Sequence, residues 1–349
     1  MRMNTLSSRS QISAIPALLL ALLVLMLPGV VVAGSSEGEA NQWLERLVPA
    51  LNMTSYQGVF VYARGDQVSS MQIAHRYRDG VVEERLVMQD GGSGEIVRRG
   101  VNVVCVLPDR GRIRLDQVIP SGPFAEAFTR QLMPISRWYS AEMVGEDRVA
   151  GYEAVEIALK ARDEYRYSHR LWLERTTALL VKSHVRASSG DVMEQFQFTS
   201  LEITDNIPDE KFEIRAGGRE ISRSLAADDL AADERAAETS PVARMNGWEL
   251  GWRPDGFAPA AAPRTGRGQV VAFSDGLAAF SVFVEPAGRL NMPKGASRIG
   301  ATTIYMHALE SGGREFLVTV VGEVPPETAR KVAESVRVQD ALALEGSDS

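Results

Sequence analysis

Hydrophobic and polar residues alternate with a period of two over much of the first 200 positions, and the exceptions are few. Tyr56, Gly58, Phe60 and Tyr62 fall on one face of a first predicted strand. Met71, Ile73, His75 and Tyr77 share a face of the second, with Gln72, Arg76 and Arg78 opposite. Asp79-Gly80 supplies the residue pair preferred by a two-residue hairpin turn, and Val81 to Met88 returns. Asp90-Gly91-Gly92 makes the next break. Further on, Val155, Ile157 and Leu159 mark a strand, and Tyr165, Tyr167, His169, Leu171 and Leu173 another. Leu179–Arg186 and Val192–Ile203 follow, separated by Ser188-Ser189-Gly190-Asp191. Helical spacing appears twice in this half. Leu44, Leu47, Val48 and Leu51 predict a short amphipathic helix that Pro49 should limit. Pro123, with Phe124, Phe128 and Leu132 on one stripe, predicts a second. Many strands with short polar turns and few helices predict an antiparallel sheet, curved or partly closed.

From about Arg219 to Arg244 the chain is rich in Ala, Asp, Glu and Ser and almost free of large apolar residues, which predicts a linker. Beyond it, Phe280, Val282 and Val284 form one strand face, and Phe316, Val318 and Val320 another. Pro325-Pro326-Glu327 opens a helix with Ala329, Val332, Ala333 and Val336 on one side. This part is α+β. The expected layout is a leader over 1–33, a first domain over 34–218, a linker over 219–245, a small α+β domain over 246–340 and a disordered tail over 341–349.

The leader changes the picture most. Arg2 and Arg9 precede an apolar run from Ile12 to Ala33, broken by Pro16 and Pro28-Gly29 and ending in Val31-Val32-Ala33. That pattern is a secretory signal with cleavage expected after Ala33. The single cysteine, Cys105, excludes an internal disulfide and reads as a buried small hydrophobe in Val103-Val104-Cys105-Val106. The formal charge of −7 argues against a general nucleic-acid binder.

Candidate chemistry is sparse. No phosphate loop, nucleophile elbow, His-Glu-x-x-His helix or paired-cysteine metal site occurs, so no catalytic residue, cofactor or metal is assigned. The four histidines, His75, His169, His184 and His307, stand singly; His75 and His169 read as hydrogen-bonded core or cavity residues. The aromatic residues of the strands read mainly as sheet core, with a cavity for a hydrophobic ligand as the alternative.

Seven segments in order resemble the RseB/MucB family. Ser55–Tyr62 resembles its opening strand, and Ile73–Tyr77, Glu84–Leu86 and Gly94–Arg98 the next strands. Tyr167–Leu173 with Leu179–Lys182 resembles its strand, turn and return strand, and Glu194–Phe196 the strand after it. In the second domain, Trp252–Phe257, Ser274–Leu277 with Phe280–Val282, and Val321–Ala329 are similar to its opening motif, central hairpin and final helix. The resemblance implies an unclosed antiparallel β-barrel with short helices, similar to the lipoprotein carriers LolA and LolB, followed by the small α+β domain. It implies a non-enzymatic periplasmic regulator of the sigma-E envelope stress response. Such a regulator binds the periplasmic region of a membrane anti-sigma factor of the RseA/MucA type, shields it from proteolysis, and senses lipopolysaccharide or lipoprotein acyl chains. A diffusible lipoprotein or lipid carrier is the alternative, and self-association is left open. On this reading Phe60, Tyr62, Ile73 and Trp172 are expected to meet lipid. Asp275, Gly276, Leu277 and Phe280 are expected to meet the protein partner.

Overall fold

The computed structural model describes residues 36–90, 94–100, 102–107, 111–115, 135–215, 220–223, 247–260, 269–287 and 295–344. The leader, the helix expected at Pro123, the Gly91-Gly92 turn, most of the linker and residues 345–349 lie outside them.

A helix, α1 (Ser36–Met53), precedes eleven strands. They are β1 (Tyr56–Arg64), β2 (Gln67–Arg78), β3 (Val81–Met88), β4 (Glu95–Arg99), β5 (Asn102–Leu107) and β6 (Gly111–Leu115), then β7 (Tyr139–Val149), β8 (Tyr152–Ala161), β9 (Ser168–Glu174), β10 (Leu180–Arg186) and β11 (Val192–Ile203). With β12 (Glu220–Arg223) they form one sheet in the order β12-β6-β5-β4-β3-β2-β1-β11-β10-β9-β8-β7. Among the described residues the end strands β12 and β7 do not pair with each other, and the sheet is an unclosed barrel. Two antiparallel meanders, β1–β6 and β7–β11, meet where β1 pairs with β11. The β2–β3 turn is the expected one: Asp79 and Gly80 both adopt positive φ, 53° and 81°.

Two expectations are corrected here. Helix α1 continues through Pro49 to Met53, because both Pro49 and Glu45, whose carbonyl loses its partner, lie on the exposed side where water can substitute. Residues 220–223, expected in the linker, are strand β12 and run parallel to β6.

The C-terminal part has a six-stranded sheet in the order β14-β15-β16-β19-β18-β17. These are β14 (Ala258–Ala260), β15 (Gln269–Ser274), β16 (Ala279–Pro286), β17 (Gly295–Ile299), β18 (Thr302–Ser311) and β19 (Arg314–Gly322). Helix α2 (Pro326–Glu334) lays Ala329, Val332 and Ala333 on the core formed by Phe273, Phe280, Val282, Phe316, Val318 and Val320. Strands β13 (Trp248–Leu250) and β20 (Val336–Val338) pair beside it. The chain then forms a helical turn, α3 (Ala341–Leu344), whose Leu344 is buried in the same core. The tail expected from 341 therefore starts no earlier than 345. A leucine with apolar partners orders the residues around it.

Candidate functional site

Residues directly opposite each other in register share a sheet face. Phe60 opposes Met71 and Phe198, Tyr62 opposes Phe196, and Ile73 opposes Leu86. Phe196 opposes Ser183, which opposes Leu171, and Leu171 packs with Leu44 and Leu47 of α1. Phe60, Tyr62 and Ile73 therefore lie on the helix-covered, inner face. Phe60 and Ile73 are fully buried among Tyr56, Phe196 and Phe198. Toward β3–β5 the same face becomes less covered. Leu86, Ile96 and Cys105 stand opposite one another, Met88 is 41% exposed and Ile96 39%, and Cys105 is half-buried rather than buried. Desolvation raises the Cys105 thiol pKa, so it is no reactive thiolate. This apolar strip was not singled out in the sequence because each strand contributes only one or two of its residues.

Trp172 is on the other face. It opposes Lys182 and Glu156, not Ser183, and its ring sits against Lys182 Nζ at 4.1 Å and the His184 ring at 4.7 Å. Simple alternation along β9 likewise sets Trp172 on the face opposite Leu171 and Leu173. Trp172 is nevertheless buried in the same apolar cluster as Phe60 and Ile73, with Tyr62 packed against it.

A polar ladder crosses the inner face beside them. Tyr56, His75, Glu84 and Arg98 stand opposite one another on β1–β4, all buried. His75 stacks on Tyr56 at 5.1 Å, its Nδ1 lies 3.0 Å from Glu84 Oε2, and its Nε2 lies 3.2 Å from the Asn52 carbonyl at the end of α1. A carbonyl only accepts, so Nε2 carries a proton. His75 is thus the hydrogen-bonded core histidine expected. His169 is buried as expected, but its Nε2 has no partner among the described residues. Burial pushes its pKa down from 6.5 to about 4. The unfolded chain therefore takes up that proton first on acidification. Stability should be full above pH 6.5 and fall by about 3 kcal/mol as the pH drops toward 4. Comparing urea unfolding of the protein and His169→Phe across this range checks it: the variant should lose that part of the slope, and identical slopes would refute it.

The residues expected to meet a partner lie at the seam between the two sheets. Asp275, Gly276, Leu277 and Phe280 are all buried, Asp275 completely. Asp275 Oδ1 accepts from Leu277 N at 2.9 Å and Ala278 N at 2.7 Å, which shapes the β15–β16 turn. Its Oδ2 accepts from Arg166 Nη1 at 2.5 Å and Tyr139 Oη at 3.1 Å. Arg166, also fully buried, further donates to Asp163 and to the Asp255 carbonyl and lies 5.1 Å from the Phe257 ring centre. Leu277 is inserted in the apolar cluster of α1 and β7–β10. The hairpin is held by contacts within the chain.

A second contact reaches the inner face. Glu194, buried on β11, accepts from Tyr62 Oη and, at 2.9 Å, from the backbone N–H of Ala301. Gly300 before it has φ of 60°, and a Cβ there would fall 2.6 Å from Glu194 Oε1. At a third contact Thr328 Oγ1 donates to the Tyr165 carbonyl, and Lys331 lies over the Tyr165 and Trp252 rings. Arg166, Tyr139 and Glu194 were not anticipated, because a charged or hydroxylated residue on a strand carries no sequence mark that it will be buried.

Among the described residues no group of three or more His, Cys, Asp or Glu could hold a metal ion, and no helix is long and apolar enough to cross a membrane. Comparison with protein families gives two matches. The MucB/RseB N-terminal domain matches residues 39–216 and the MucB/RseB C-terminal domain residues 242–337. The chain belongs to the MucB/RseB family. It is 34% identical over 337 residues to the sigma factor AlgU regulatory protein MucB of Pseudomonas aeruginosa, covering 92% of this chain and 98% of that one. It is 26% identical over 314 residues to the sigma-E factor regulatory protein RseB of Haemophilus influenzae, covering 88% and 93%. The solved complex of Pseudomonas aeruginosa MucA and MucB matches with a TM-score of 0.67 and 32% identity, over 87% of this chain and all of that one. The family resemblance seen in seven ordered segments is therefore the family shown.

Proposed function

We propose that the protein is a non-enzymatic periplasmic regulator of the sigma-E type that binds the periplasmic region of a membrane anti-sigma factor, shields it from proteolysis and releases it when lipid binds. The observation that carries this reading is the match, over nearly the whole chain, to a MucB caught in complex with MucA. A division into a first domain, a linker and a second domain over 246–340 belongs to the same proposal, with β12 counted in the first.

The switch is linkage. A lipid that prefers the free regulator must weaken partner binding by the same factor. The partly covered strip of Leu86, Met88, Ile96 and Cys105, continuous with Phe60, Tyr62 and Ile73, is the surface suited to an acyl chain. Tyr62 is bonded to Glu194, and Glu194 to Ala301, so an occupant at Tyr62 disturbs a contact between the two sheets. Reorientation of the sheets has to withdraw Leu277 from its cluster, which gives the change two discrete states.

Titration of the protein with the periplasmic region of its own anti-sigma factor, with and without lipopolysaccharide, tests the reading. Saturable binding that lipid weakens at least tenfold is expected. Binding indifferent to lipid would remove the sensing step. Absence of partner binding alongside tight lipid binding would favour the diffusible carrier, for which the apolar strip is also suited.

A further inference from the structure

On the outer face of β1–β3 the segment Ile207–Arg215 forms a strap. One end is fixed by Ile207 and Phe212, which pack on Ala74, and by Arg76, which donates to the Ile207 carbonyl at 2.5 Å and to Asp209 at 2.7 Å. The other end is fixed where the Arg215 backbone N–H donates to both oxygens of Glu95, 3.3 Å each. Between these anchors the strap encloses a cavity of 110 Å³. Gln57, Ala74 and Arg85 stand directly opposite one another across β1, β2 and β3 and line it, with Gln72 beside them and Lys211 and Arg215 contributed by the strap.

Three cations and no carboxylate line this space. Arg85 is the informative one. Its side chain is only 10% exposed, and its Nε is held by Glu95 Oε1 at 2.5 Å. Its two Nη groups have no partner among the described residues. Glu95 offsets one charge, and Lys211 has no ion-pair partner among the described residues, so the lining stays cationic. The four Nη N–H donors left by the Nε–Glu95 bond keep a fixed planar arrangement that suits a tetrahedral oxyanion, and an orientation set by Glu95 removes most of the cost of ordering the side chain. The volume admits a group of that size and is too small for a nucleotide or drug-sized ligand, whose pockets run to about 300–1,000 Å³.

We propose that this cavity is a binding site for a phosphate group, with Arg85 presenting its Nη donors from the sheet and Lys211 and Arg215 closing over it from the strap. The site lies on the opposite face from the apolar strip, and the proposal does not depend on the regulator reading. Calorimetric titration of the full protein with inorganic phosphate at low ionic strength should show saturable one-to-one binding. Arg85→Gln should abolish it. Because that variant also leaves Glu95 without its cation, Lys211→Glu, at the rim, is the safer probe: it should weaken binding at least tenfold with an unchanged melting temperature. No saturable binding, or an affinity unmoved by Lys211→Glu, overturns the proposal. Phosphatidylcholine vesicles with and without phosphatidic acid separate the sources. Retention on the phosphatidic acid vesicles that free phosphate competes away identifies a lipid headgroup, whereas phosphate binding without vesicle retention identifies the free ion.

Discussion

Arg166→Ala should cost about 3–5 kcal/mol of unfolding free energy, the range for removing one partner of a buried ion pair. Arg166 and Asp275 are both without exposed side-chain surface, and water cannot replace the lost guanidinium. Asp275→Ala should cost at least as much, since it also removes the acceptor for the Leu277 and Ala278 N–H groups that shapes the hairpin. The double substitution Arg166→Met, Asp275→Leu should be less destabilised than the sum of the singles, because no unpaired charge is left behind. Urea unfolding with circular dichroism measures all three. A loss under about 1 kcal/mol in Arg166→Ala would mean that the seam is wet and the pair a surface-like one.

Gly322→Ala should be comparably severe for a different reason. Gly322 stands between Phe280 on β16 and Thr303 on β18. A Cβ there would lie 2.4 Å from both the Ala279 carbonyl oxygen and Phe280 Cα, which are backbone atoms of a central, packed strand. Neither can move aside without breaking the β16–β19 ladder, so a loss of about 3 kcal/mol is expected, at the upper end for overpacking. Gly145, at the irregularity in β7, is the control: a Cβ there meets nothing within 4 Å, and Gly145→Ala should change stability by less than about 0.5 kcal/mol. Equal effects at the two positions would show that the close approach at Gly322 is not tight.

The strands carrying Tyr56–Tyr62, Met71–Tyr77, Val155–Leu159, Phe280–Val284 and Phe316–Val320 were legible because alternation reports burial directly, whereas Tyr139–Val149 and Thr302–Ser311, with less regular alternation, were not. The Asp79-Gly80 turn and the proline-led start of α2 were legible because their backbone demands select few residues. Sheet membership of Glu220–Arg223 was not, since four residues with a single apolar member, Ile221, look like linker until β6 offers hydrogen bonds. Of the residues expected to meet lipid, Phe60, Ile73 and Trp172 share one buried cluster with Tyr62 packed against it. The seam escaped entirely. Arg76, Arg166 and Glu194 are buried by partners 89 to 133 positions distant or by segments folding back, and no local pattern encodes that. Asp275 drew attention as a residue of a family-like hairpin, and its carboxylate faces inward, where it also shapes the turn.

The pairing of β1 with β11 sets a limit on how this chain can acquire its structure. Tyr56 bonds alongside Ile203, so nearly 150 residues have to be available before the first strand gains its second neighbour. The β1–β6 meander can close hairpin by hairpin as it is made, whereas its β1 edge stays open to other extended chains until the second meander is complete. Refolding should accordingly show a fast phase that leaves β1 one-sided and a slower, concentration-sensitive phase in which that edge is either sealed by β11 or lost to aggregation.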